Sequence, residues 1–268
     1  MIPYIGITGF VSKEEMETFH RLFTIVRKNG QSIKDLINLT NHKIMVGVLV
    51  SNKTLSKETP DNQKRYPYID DVREIFIDDD AYFNCTHFNS RDFENLFVHL
   101  SMLAQIPNIN GIQLNICWPP AKILEQFKAR FPDIKIILQI GKNAYEKVGE
   151  SPRSLYLKLA EYSNSIDFIL FDMSGGNGLL IDVSDTLIKI LADIYEKMPN
   201  IGVGVAGGLS HDSVFAITRM LEVLKSLKHD PNKISIDAEG RLRDQNDLLV
   251  IGDALKYVLA SCAVFENI

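Results

Sequence analysis

The stretch Ile169-Leu170-Phe171-Asp172-Met173-Ser174-Gly175-Gly176-Asn177-Gly178 decides how this chain is read. A short apolar run ends in a carboxylate and then breaks into a glycine-rich turn. Apolar residues without alternation fit a strand buried on both faces, as in parallel sheets. An acid at the C-terminal end of such a strand is where α/β barrels gather their chemistry. The glycines beyond it allow a sharp bend or close approach to a ligand. Two similar strand ends follow, Ile201 to Ala206 closing on Gly207-Gly208, and Ile234-Ser235-Ile236-Asp237 running into Glu239-Gly240. With helical patterns between them, these ends predict one shared face carrying one site.

Working outward, the same unit repeats. Strand patterns cover 4–7, 44–50, 82–88, 111–115, 134–140, 168–172, 201–206 and 233–237, eight in all. Helical spacing follows each of them. Ser12 with Glu15 reads as a capping box ahead of Phe19, Leu22, Phe23 and Val26, and Gly30 ends that helix. Further helices are predicted over 32–39, 70–76, 92–104, 119–130, 154–162, 184–197, 212–227 and 247–265. The polar stretch 51–68, with Lys53, Lys57, Lys64 and Arg65, reads as a long loop at a strand's C-terminal end. Such a loop is either a binding loop or a mobile solvated one. No linker divides the series, so residues 1–268 are expected to form one α/β domain, a single (β/α)8 TIM barrel. A doubly wound sheet shares the alternation, but Ile5-Gly6-Ile7-Thr8-Gly9 lacks the spaced glycines of a dinucleotide site.

Composition narrows the class. The chain has 268 residues, 46% hydrophobic and 24% charged, as expected for an ordinary globular protein with ample core. A net charge of −5 gives no global attraction to nucleic acid. Cys85, Cys117 and Cys262 form no CxxC pair or disulfide framework. No signal-peptide pattern or membrane-length apolar run is seen, and the expectation is a cytoplasmic protein with no membrane partner.

Several residues carry candidate chemistry. Asp172, if it points into the lumen with Leu170 and Phe168, can donate or accept a proton; a helix cap or loop-closing acid is the alternative. Gly207, Gly208 and Gly240 follow the last two strands, where barrels often bind phosphate through backbone N–H groups. Glu239 opposes an anion there unless it points away, and Arg241 or Arg243 would compensate. Cys117 follows the fourth strand as a thiolate base or a plain loop cysteine. Cys85 and His87 share one strand face, as lumen groups or as core. Lys142 is a Schiff-base amine if desolvated and otherwise a solvated lysine. No further His or Cys falls at metal-ligand spacing, so no metal is expected.

Taken together, these stretches resemble phosphoribosylanthranilate isomerases of the ribulose-phosphate-binding barrels. The resemblance runs through Ile5-Gly6-Ile7-Thr8, Val46 to Val50 with Lys64-Arg65-Tyr66, Ile112-Gln113-Leu114-Asn115, Phe171-Asp172 with its glycine loop, Ala206-Gly207-Gly208-Leu209 and Ile236-Asp237. It covers the chain in order through short motifs. It implies an Amadori-type acid/base isomerisation of a small phosphorylated sugar derivative, with no cofactor. Asp172 would be the acid and Arg65 the substrate anchor. Gln113, Asn115, Gly176, Gly178, Gly207, Gly208, Asp237 and Gly240 would bind substrate and phosphate. Three departures stand out. Ile5 occupies the place of the family's cysteine base, Asn115 replaces a histidine, and Ala238-Glu239-Gly240 replaces a Ser-Ser-Gly. A substitute base is then sought among Cys117, His87 and Asp237. The other readings are a barrel that binds a phosphorylated metabolite without turnover, and an epimerase or a lyase using Lys142.

Overall fold

The computed structural model describes residues 1–59, 62–174 and 180–268. Eight parallel strands close into a barrel: β1 (Tyr4–Thr8), β2 (Lys43–Ser51), β3 (Tyr82–Asn89), β4 (Gly111–Leu114), β5 (Lys135–Gly141), β6 (Phe168–Asp172), β7 (Gly202–Ala206) and β8 (Ile234–Ala238). Closure is made by β1, which pairs with β2 through Ile5↔Ile44 and with β8 through Ile5↔Ile236. The helices α1 (Lys13–Ile25), α2 (Ile33–Leu39), α3 (Ile69–Ile75), α4 (Leu96–Leu103), α5 (Ala121–Arg130), α6 (Pro152–Ala160), α7 (Asp185–Lys197), α8 (Thr218–Ser226) and α9 (Ile251–Glu266) follow the strands in sequence, at least one after each. The expected single-domain TIM barrel is the fold found.

Alternation along each strand divides the apolar residues into two cores. Ile5, Ile7, Ile44, Val46 and Val48 pack outward against the helices in one large cluster. Tyr4, Met45, Phe83, Cys85, Ile137, Phe168, Leu170 and Ala206 form a second, separate cluster inside the lumen. Its floor is aromatic, with ring centroids 5.7 Å apart for Tyr4–Phe83, 5.5 Å for Tyr4–Phe168 and 6.1 Å for Phe83–Phe168. Such contacts add to the roughly 1.5–3 kcal/mol from burying each large apolar side chain. Glycines make the room: a Cβ on Gly111 would lie 2.6 Å from Phe83, and one on Gly202 would lie 2.2 Å from Phe168.

Several boundaries differ from the sequence expectation. A small hairpin, Arg27–Lys28 with Gln31–Ser32, turns the chain between α1 and α2. Ser12 accepts the Glu15 amide as expected, and the Glu15 carboxylate also takes the amide of Val11. The loop after β2 begins with a helical turn, Asn52–Leu55, capped by Ser51. The long helix expected over 212–227 is a 3-10 segment, Val214–Ile217, followed by α8. There the Ser213 hydroxyl donates to the Gly208 carbonyl at 2.7 Å and ties the segment to the preceding turn. No helix of the described residues is long and apolar enough to cross a membrane.

Nearer the mouth, a Cβ on Gly47 would lie 2.4 Å from Thr8 Oγ1 and 3.0 Å from the Thr8 backbone. Gly47→Ala is expected to lower unfolding free energy by about 1–3 kcal/mol in urea titration. Gly252→Ala, in α9 with nothing within 4 Å, is expected to raise it by about 0.5–1 kcal/mol.

Candidate active site

Above the apolar floor the lumen turns polar. The residues that do this lie nearer the C-terminal mouth on the same strand faces, Thr8, His87 and Asp172 four positions beyond Tyr4, Phe83 and Phe168 and Gln139 two beyond Ile137. They form one hydrogen-bonded chain across six strands. Asp237 (β8) accepts from the Thr8 hydroxyl (β1) at 2.9 Å, and Thr8 Oγ1 lies 3.5 Å from His87 Nε2 (β3). His87 Nδ1 is 3.1 Å from Gln113 Nε2 (β4), which also lies 3.4 Å from Gln139 Oε1 (β5). Gln139 then donates to Asp172 Oδ2 (β6) at 3.0 Å. Asp172 Oδ1 accepts both the amide and the hydroxyl of Ser174. The two remaining strands supply small residues. Gly47 of β2 leaves space for the Thr8–His87 contact, and Ala206 of β7 separates the two acids. Asp172 and Asp237 are both in register with Ala206, which sets their Cα atoms roughly 9–10 Å apart across two strand spacings.

A pocket with about 50 Å³ of enclosed space, open to solvent above, lies over this chain. Its walls include the sequence-predicted His87, Gln113, Asn115, Asp172, Asp237, Gly207, Gly208 and Gly240. Gly207 and Gly208 have φ of +123° and +56°, conformations that favour glycine and expose backbone to the pocket. Glu239 also lines it, so it does not point away from the glycines.

Burial governs the electrostatics. Desolvation, reinforced by the charges of Glu239 and Asp172, pushes the Asp237 carboxyl up to about 8, and the Thr8 hydrogen bond only partly offsets this. His87, fully enclosed, is pushed down to about 3 and is neutral. Its tautomer follows from its neighbours. Thr8 has one hydroxyl hydrogen and gives it to Asp237, so it accepts from His87 Nε2–H. His87 Nδ1 is then the acceptor for Gln113. The amide of Gln113 is oriented by Asn115 Oδ1, which accepts from it at 3.0 Å, and by Gln139 Oε1.

The Arg65 guanidinium is engaged at the rim. Its Nε donates to Asp247 Oδ2 at 2.7 Å and its Nη1 to Glu239 Oε1 at 3.0 Å. Arg243, with its side chain 2% exposed, donates to the carbonyls of Lys64 and Asp247 and has Nε 3.7 Å from Glu239. It packs on Gly9, where a Cβ would collide with the guanidinium. Burial also raises Glu239, while both arginines hold it down. These ion pairs join the loops after β2 and β8, and Arg243 reaches the loop after β1 through the Gly9 carbonyl.

Other sequence candidates lie elsewhere. Cys117 is half-buried in an adjoining depression with Asn143 and Ala144, outside the pocket over the carboxylates. Lys142 begins a helical turn, its side chain 75% exposed and 3.8 Å from Glu146, away from the lumen. Ile5 faces the helix layer, so a side chain at that position does not reach the lumen in any case. Gly176 and Gly178 fall outside the described residues. Sequence reasoning missed Thr8, Gln139 and Ser174. Gln139 carried a usable signal, as the single polar residue in the apolar run 136–140. Among the described residues, no group of three or more His, Cys, Asp or Glu is placed to hold a metal ion.

No protein-family model and no curated protein matches the chain. Solved structures do. A phosphoribosylanthranilate isomerase in complex with reduced 1-(o-carboxyphenylamino)-1-deoxyribulose 5-phosphate superposes with TM-score 0.55 at 15% identity, covering 97% of this chain and 98% of that one. The tryptophan synthase alpha chain from Legionella pneumophila gives 0.52 at 9% identity, covering 99% and 93%. The catalytic domain of a chitinase from Pyrococcus furiosus gives 0.51 at 12% identity, covering 99% and 96%. The likeness is one of fold. It joins enzymes of unrelated chemistry on one barrel and so does not choose among reactions.

The raised carboxyl has a consequence for stability. An unfolded aspartate titrates near 4, so folding takes up a proton at Asp237 between there and about 8, and stability falls as pH rises through that window. Asp237→Asn removes the dependence. Its thermal stability relative to wild type is expected to improve by up to about 1.4 kcal/mol per pH unit from pH ~5 to ~8.

Proposed function

We propose that this barrel is an acid/base isomerase acting on a small sugar-derived substrate, in an Amadori-type aldose-to-ketose conversion. The observation that carries the reading is the pair of carboxyls flanking Ala206 at one pocket in unlike surroundings, one enclosed and the other accepting hydrogen bonds on both oxygens. Asp237, buried and raised to about 8, is protonated at neutral pH and serves as the acid. Asp172 accepts on both oxygens, from Gln139 and from Ser174, and serves as the base. Environments that separate two acids in this way divide the acid and base roles between them. This exchanges the roles that the family resemblance implies, and it supplies the base that Ile5 cannot be.

The proton balance closes. Asp237 gives its proton to the ring oxygen and the ring opens. Asp172 removes the C2 proton, leaving an enol. The enol hydroxyl returns a proton to Asp237, and Asp172 delivers its own to C1. Asn115 and Gln139 border the pocket as hydrogen-bonding partners for substrate hydroxyls.

The exposed backbone at Gly207, Gly208 and Gly240 supports a phosphorylated substrate. A substrate without phosphate is the second reading. It is favoured by Glu239 in the pocket wall and by the lack, among the described residues, of any lysine or arginine lining it.

The test is turnover of freshly generated phosphoribosylanthranilate, followed by loss of fluorescence, with unphosphorylated aminoaldoses assayed beside it. Asp172→Asn and Asp237→Asn are each expected to lower kcat/KM by about 10²–10⁴-fold. In wild type, kcat/KM is expected to fall as pH rises through about 8, where Asp237 loses its proton. A rate that instead climbs through that range would make Asp237 the base. No turnover of any aldose derivative would remove the isomerase reading.

A further inference from the structure

Thr8 is buried beside the pocket and His87 in its wall, and neither takes part in the two-carboxyl scheme. Thr8 is 0% and His87 2% exposed. Their arrangement is nevertheless costly to build. Gly6 and Gly47 must both lack a side chain for it to exist. A Cβ on Gly6 would lie 2.4 Å from Asp237 Oδ1, and one on Gly47 would lie 2.4 Å from Thr8 Oγ1 and 3.0 Å from His87 Nε2. Two neighbouring strands are thus opened at adjacent inward positions, and the space is filled by hydrogen-bonding atoms from β1, β3 and β8.

The chain has one direction. Gln113 Nε2 has two hydrogens and no accepting lone pair; Asn115 Oδ1 at 3.0 Å and His87 Nδ1 at 3.1 Å take them, and Gln139 Oε1 at 3.4 Å is the weakest of its three contacts. That leaves His87 Nδ1 as an acceptor and places the ring hydrogen on Nε2. Nε2–H points at Thr8, which then donates to Asp237 Oδ1. Reversing the chain would need the Gln113 amide to turn its oxygen against two other oxygens.

We propose that Thr8 and His87 are positioning residues for Asp237: the directed chain from Gln113 keeps a hydroxyl hydrogen on Oδ1 and confines the acid's exchangeable proton to Oδ2. This rests on the acid role proposed for Asp237. It explains why a histidine at a strand end faces the site without titrating there. It also separates His87 from the acid/base candidates, since a ring with Nδ1 accepting and Nε2 donating has no free position for a substrate proton. The titratable groups facing Asp237 are Asp172 on β6, Glu239 in its own loop, Tyr4 on β1, Cys85 and His87 on β3, and Tyr257 on α9. Asp172 and Glu239 are the two further carboxyls among them. Both raise Asp237, and Thr8 opposes them.

The experiment compares Thr8→Val, Thr8→Ser and His87→Leu with wild type. Each is checked for a native far-ultraviolet spectrum and cooperative melting. The Asp237 carboxyl is titrated directly by 13C NMR of the labelled protein without substrate, so the readout does not depend on the reaction assigned to the site. Thr8→Val is expected to move the Asp237 midpoint upward, Thr8→Ser to leave it within experimental scatter of wild type, and His87→Leu to give an intermediate shift. In turnover, Thr8→Val is expected to lower kcat by roughly tenfold with KM within about twofold, and to carry the alkaline limb of the pH profile upward with the midpoint. An unchanged Asp237 midpoint in folded Thr8→Val would overturn the proposal. So would a Thr8→Ser protein that behaves like Thr8→Val. A shifted midpoint in a protein that turns over no aldose derivative would uphold the positioning role and remove the isomerase reading alone.

Discussion

Closing eight strands into one barrel obliges every second residue of each strand to share a single lumen, and the rest of this structure depends on how that space is divided. The lower part holds Tyr4, Phe83 and Phe168 in mutual contact. Rings of that size fit only because Gly111 and Gly202 stand opposite them. The upper part repeats the scheme with polar groups, Gly6 making room for Asp237 and Gly47 for Thr8 and His87. Large faces small at both levels, as a close-packed interior demands. The change from aromatic to polar filling sets the depth of the pocket.

That filling places two carboxyls in very different surroundings at similar height. Asp237 is enclosed, with Tyr4, Cys85 and Tyr257 among its neighbours, so the low dielectric favours its neutral form. Asp172 lies at the edge of the pocket, where its oxygens take up hydrogen bonds from Gln139 and Ser174. Ala206, in register with both, stands between them with only a methyl side chain. Enclosing Asp237 in this way costs stability as pH rises through the range in which only its unfolded form is ionised.

The rim is held by charge. Arg65 from the loop after β2 and Arg243 from the segment after β8 converge on Glu239 and Asp247. The pairs are partly shielded from solvent, and Arg243 also binds three backbone carbonyls, so the cluster orders three loops at once. It neutralises Glu239 from outside the pocket while the carboxylate itself remains in the wall. The polar loop over 51–68 is therefore anchored at Arg65, through contacts spanning more than 170 residues of sequence.

The sequence by itself determined the barrel. Apolar runs mark the strands, 3.6-residue spacing marks the helices, and both are local properties that survive without knowledge of partners. It also placed Asp172, Asp237, His87, Gln113 and the glycines at strand ends, which in a barrel must meet at one mouth. Only the tertiary structure decided what they do there. Thr8 and Asp237 are 229 residues apart, and their hydrogen bond exists because closure sets β1 beside β8. Cys117 and Lys142 sit at the same mouth by sequence, yet their side chains lie outside the pocket, since position along the chain does not fix direction. Protonation follows the same logic. A carboxyl's charge depends on how much water and which neighbours surround it, and those surroundings come from strands distant in sequence.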